Sequence, residues 1–200
     1  MLLAQTFTDI ALGTLPDAQA AFAIEGGQEI PLITLVSSVL GQEGEQVGFF
    51  RYAQGKVPSA APLLTGGSPS FAFTALQMFI VPGSCPKPLS DIPLTTFGKL
   101  NIIAKPEPRN MTLEYSVAGQ VDCENNAIVY LSGPLLPVTV RISDALFAGG
   151  VTHFKADFPF EEGFANGLTI AALVKGTGKF ATNDAVAAAT VYGPGLIEIN

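Results

Sequence analysis

The spacing of apolar residues changes once along this chain, near residue 98, and one kind of layer cannot serve both spacings. Between Glu29 and Lys56, Leu32, Leu35, Val36, Val39, Val47 and Phe50 recur at three- and four-residue steps. That spacing puts them in one stripe of a helix. From Lys99 the period is two. Leu100/Ile102/Ala104 alternate with Asn101 and Ile103, and Met111/Leu113/Tyr115/Val117, Val138/Val140/Ile142 and Thr152/Phe154/Ala156/Phe158 alternate with more polar neighbours. Ala127–Leu131, Gly167–Val174, Ala185–Val191 and Gly195–Ile199 read as further strands, with turns at Gly133-Pro134, Gly149-Gly150, Asn166-Gly167 and Gly176-Thr177-Gly178. The expectation is an α+β protein: a helical hairpin followed by an antiparallel sandwich or barrel.

The hairpin occupies residues 1–56. Its first arm spans residues 3–24, where Leu3, Phe7, Ile10 and Ala11 keep helical spacing and Ala18–Ala23 is rich in strong helix formers. Pro16 lacks a backbone donor and crowds the carbonyl four residues back, which predicts a kink near Gly13-Thr14 or a fresh start. Glu25-Gly26-Gly27 ends the arm, because glycine takes the left-handed cap conformation readily. The second arm runs from Glu29 to about Gln54, with Pro31 in its first turn and Gly55 as its stop. Residues 57–97 form a proline-rich connector. Within it Pro69–Ile80 is apolar enough to dock as a short helix, with Ser68 at the N-cap. Residues 98–200 are the β region.

Charge and composition remove several classes of function. A net charge of −7 opposes nucleic-acid binding, which needs a basic footprint to displace counterions. No apolar run is long enough to span a bilayer, and the N-terminal MLLAQTFTDIAL lacks the charged and apolar regions of a signal peptide. The two cysteines, Cys85 and Cys123, have neither zinc-site spacing nor a histidine cluster nearby. They form one disulfide or remain two buried thiols. The glycosylation tripeptide Asn110-Met111-Thr112, in a turn-like stretch, favours export and hence the disulfide.

Chemistry has one candidate centre. Continuing the stripe of the second arm past Val39 reaches Glu43 and then Gln46, and a buried carboxylate needs a partner. Glu-x-x-His on facing helices is how four-helix carboxylate proteins hold two metal ions. Here glutamine stands at the imidazole position, a donor that transition metals seldom choose. The structural alternative is a buried Glu43 paired with Arg51, a backbone amide or a neighbouring helix. His153 falls on the polar side of its strand, and Ser37-Ser38 have no histidine to activate them.

The runs LVSSVLGQEGEQVGFFRYAQGKVPSAAPLLT, FTALQMFIVPGSCP and VYGPGLIEIN resemble the ferritin-like late sexual development proteins of fungi. The resemblance covers most of the chain, from about Thr6 onward. It implies a ferritin-like helical part, here the second half of the bundle, joined to a β-sandwich-like part in an extracellular or cell-wall protein. It also implies that Glu43 and Gln46 stand where metal-binding relatives of the wider group carry Glu-x-x-His. The favoured function is a non-enzymatic structural or developmental protein with a degenerate metal site and no cofactor. One alternative is a metal-binding oxidoreductase or iron-storage-type protein using iron or manganese. Another is a cell-wall or carbohydrate-binding β module. The uncovered stripe of helix 29–54 predicts self-association, or pairing with further N-terminal helices.

Overall fold

The computed structural model describes residues 2–59, 61–160 and 164–199. It is α+β: helices first, then two antiparallel sheets. Helix α1 spans Leu2–Glu25 and α2 spans Ile30–Ala53, joined by a 3-10 turn at Gly27–Glu29. The expected break at Pro16 does not occur; Pro16 lies inside one continuous helix. Contacts hold both halves in line. Ile10 and Leu12 are buried in the N-terminal half, while in the other half Gln19 Nε2 donates to the Ile33 carbonyl at 3.0 Å and to Ser37 Oγ at 2.6 Å.

Helix α2 ends in a glycine-closed turn. Gly55 has φ of 74°, its N–H donates to the Tyr52 carbonyl, and the Lys56 N–H donates to the Arg51 carbonyl, each at 3.0 Å. This is the Schellman arrangement. The connector then crosses α1 at Gly13, where a Cβ would overlap the Thr65 carbonyl oxygen. Helix α3, Pro69–Gln77, docks as its composition predicts. Ser68 sits at its N-cap, but its carbonyl, not its hydroxyl, makes the bond there, accepting from Phe71 N at 2.9 Å.

The strands are β1 (Asn101–Ile102), β2 (Met111–Ala118), β3 (Asn126–Ser132), β4 (Val138–Arg141), β5 (Ser143–Ala148), β6 (Val151–Phe158), β7 (Gly167–Lys175) and β8 (Thr190–Ile199). One sheet has the order β1-β2-β6-β5 and the other β4-β3-β7-β8. Leu113 and Tyr115 of β2, Phe154 and Phe158 of β6, Tyr130 of β3 and Leu173 of β7 share one core. The hydroxyls of Tyr115 and Tyr130 meet at 2.7 Å inside it, joining the two sheets. Burial pushes both phenols well above the usual tyrosine range.

The second sheet is buried on its other face too. Ala127, Val129, Leu131, Ile170, Ala172 and Val174 pack there with Phe71 of α3 and Val186. Val186 belongs to helix α4, Asn183–Ala189. This corrects the strand expected at Ala185–Val191. Thr182 caps the helix by accepting from Ala185 N at 3.1 Å, and the alanines suit a helix better than a strand. Strand β5 was not foreseen; it lies at a sheet edge and is exposed at five of its six residues.

Candidate functional site

The stripe read from the second helix is not buried as expected. Of the 24 residues of α2 only Val47 and Arg51 are buried, and Leu35 is 60% exposed. Glu43 is half-buried and Gln46 is exposed. The expectation that both lie on a covered face therefore fails, because among the described residues nothing packs on the side facing away from α1. Arg51 pairs with Glu198 of β8, 147 residues away in sequence, instead of Glu43. Among the described residues, no group of three or more His, Cys, Asp and Glu side chains is placed to hold a metal ion.

The other sequence candidates are dispersed. Cys85, in the connector, and Cys123, between β2 and β3, are both half-buried free thiols, so the expected cross-link is not formed. Asn110 is exposed just before β2, and its Oδ1 accepts from Phe160 N at 2.7 Å. Thr112 of the same tripeptide donates to Asp157 at 2.7 Å. His153 is exposed on β6, opposite the face that enters the core.

What the fold does assemble is a polar cluster where α1, the C-terminal end of α2 and β8 meet. Gln5 is fully buried. Its Nε2 donates to Asp9 at 3.1 Å and also to Glu198. Its Oε1 accepts from Gln54 at 2.8 Å and from Lys56 at 3.2 Å. Arg51 Nη1 reaches Glu198 Oε1 at 2.7 Å, and Nε donates to the Val57 carbonyl at 2.8 Å. Lys56 Nζ lies 3.5 Å from the same carboxylate oxygen. Local structure explains the convergence. Arg51 follows Val47 by one turn and shares its buried side, the Schellman turn brings Lys56 back, and Glu198 faces away from Ile197 and Ile199, which enter the core between the sheets.

This cluster is not fully satisfied. Arg51 is 2% exposed, and its Nη2 has no hydrogen-bond partner among the described residues. Such a buried donor costs on the order of 1–3 kcal/mol. Desolvation raises the Asp9 pKa above the ordinary aspartate value of 3.8, and the Glu198 charge adds to that. The bond from Gln5 and the charges of Arg51 and Lys56 oppose it. Beside the cluster lies a cavity of about 150 Å³ whose lining includes Asp9, Arg51, Leu12, Val47, Leu64 and Leu168. Sequence reasoning missed this centre. The available signals were an arginine one turn beyond Val47 and a lone carboxylate in the closing run Leu196-Ile197-Glu198-Ile199.

No protein-family model and no curated protein matches this sequence.

Proposed function

We propose that this chain is a non-enzymatic structural protein: a ferritin-like helical pair with degenerate metal positions, carried on a β-sandwich and acting through assembly. The observation that carries the reading is the uncovered side of α2. Leu35 is 60% exposed, Phe49 58% and Tyr52 74%. At about 100° per residue, Leu35 and Phe49 fall within roughly 40° of each other, with Gln42 between them and Gln46 about 20° to the other side of Leu35. Gln46, at the position where metal-binding relatives carry histidine, thus points to the side a bundle would enclose. Two helical pairs related by a two-fold axis supply the four helices such a bundle requires. The occupant is a second copy of this chain. The exposed Asn110 and the resemblance to the late sexual development proteins support a structural or developmental role outside the cell.

Light scattering across a dilution series tests the reading. A dimer is expected, and Leu35→Glu with Phe49→Glu should convert it to a monomer while leaving the β-sheet circular dichroism unchanged. A wild-type chain that stays monomeric at every concentration would overturn it.

A further inference from the structure

Asn110 stands one residue ahead of β2, at the end of a run, residues 107–110, that is exposed throughout. Asn110-Met111-Thr112 is the single N-x-S/T tripeptide in the 200 residues. Such a tripeptide is an acceptor for a sugar chain, which has to lie at the surface. We infer that Asn110 carries an N-linked oligosaccharide whose first sugar packs into the groove beside it. That modification belongs to an exported chain, so it rests on the proposed location outside the cell.

The geometry around Asn110 suits a glycan. Its Oδ1 accepts from Phe160 N at 2.7 Å, and a glycosylated amide keeps that oxygen, so the bond survives. The adjoining groove has a volume of about 390 Å³, in the range of small-ligand sites. Met111 and Phe158 in its lining are cross-strand partners in one sheet, while Val140 belongs to the other. The groove therefore opens between the sheets, where Phe158 and Val140 reach the core. An N-acetylated sugar lays its methyl and C–H face on Val140 and Pro159 and turns a hydroxyl toward Asp157, also in the lining.

The transfer is early. In the folded chain the Thr112 hydroxyl donates to Asp157 across the β2–β6 pair at 2.7 Å, so the tripeptide is open to a transferase only before those strands join. Asn110 Nδ2 attacks C1 of an oligosaccharide held on a polyprenyl diphosphate. The C1–N bond forms, the C1–O bond to the diphosphate breaks, and the amide gives one proton to a base. The polyprenyl diphosphate leaves with the electron pair.

The test uses wild-type chain recovered from the cells that make it. Mass spectrometry of the tryptic peptide beginning at Asn110 should show N-acetylhexosamine on that residue. An unmodified Asn110 in chain found outside the cell would overturn the glycan and leave the proposed function standing. Unmodified chain found only inside the cell would overturn both the glycan and the proposed location. Thermal melts of three forms of the same sequence test the packing: the full glycan, the glycan trimmed by an endoglycosidase to its first sugar, and bare chain made in a bacterial host. The first two should melt together and the bare chain about 2–4 °C lower. A bare chain that melts with the others would overturn the packed sugar.

Discussion

Strand β3 and helix α2 are both apolar in sequence, yet all seven residues of β3 are buried and only two of the 24 in α2 are. The difference lies in what each element has beside it. Strand β3 has neighbours on both edges and packed layers on both faces: β4 and β7 in its sheet, the other sheet on one side and α3 with α4 on the other. Helix α2 has α1 along one side and the connector and β8 at one end. Hydrophobic stabilisation scales with the apolar area removed from water, so an apolar sequence stabilises only where a second surface exists to meet it. Stability in this chain should accordingly fall off steeply from the sheets to the far end of the hairpin.

The largest test of that contrast truncates one residue of each kind. Ile128→Ala should cost about 2–5 kcal/mol in urea unfolding, as buried aliphatic truncations do. Leu35→Ala in the same assay at low protein concentration should stay within about 0.5 kcal/mol. Equal losses would mean that α2 is covered in solution by something beyond its own chain.

Next in size is the Arg51–Glu198 ion pair, which ties the end of α2 to β8. Glu198→Ala leaves the Arg51 charge buried and uncompensated, a change that typically costs about 3–5 kcal/mol; the residual exposure of Glu198 places the expectation near 3. Hydrogen exchange should show α2 amides losing protection while those of β3 keep theirs. Uniform loss across both regions would show that hairpin and sheets unfold as one unit.

Two glycine substitutions should move in opposite directions. Gly13→Ala overlaps the Thr65 carbonyl and should destabilise by about 1–3 kcal/mol as an overpacking change. Gly41→Ala meets nothing within 4 Å and should stabilise by roughly 1 kcal/mol through helix propensity. Thermal melts of the pair read both.

The smallest effect expected is the pH dependence set by Asp9. Its folded pKa is raised, so between 3.8 and that raised value the native state binds more protons than the unfolded state. Stability then declines as pH climbs through this window. Asp9→Asn should flatten the slope and be mildly stabilising above the window, as read by urea unfolding at several pH values.

The sequence carried the architecture further than the site. The switch from helical spacing to alternation near residue 98 located the helices and most strands, because patterning reports which faces are covered. It failed at Ala185–Val191, where an apolar run interrupted only by Thr190 carries no period and Thr182 supplied a helix cap instead. It also failed at Pro16, where contacts at both ends hold the helix together. The polar cluster was hidden for a different reason. Arg51 and Glu198 are 147 residues apart, and pairing at that distance is a product of topology. Glu43 and Gln46 drew attention as polar groups on a stripe, but a stripe shows which residues share a side, and only packing shows whether that side is covered.

The double covering of the second sheet also bears on where this protein can be divided. Phe71, from the connector, and Val186, from between β7 and β8, are both parts of the layer over Val129 and Ile170. A boundary drawn by composition at residue 98 would cut through that layer. Residues 98–200 expressed alone would retain Val186 but lose Phe71 and its ring contact with Phe97, whose centroids are 5.3 Å apart. The freed sheet face would be an apolar surface available to other molecules. The β region is therefore not a transplantable module at that boundary; a soluble fragment has to begin before Ser68 and keep α3.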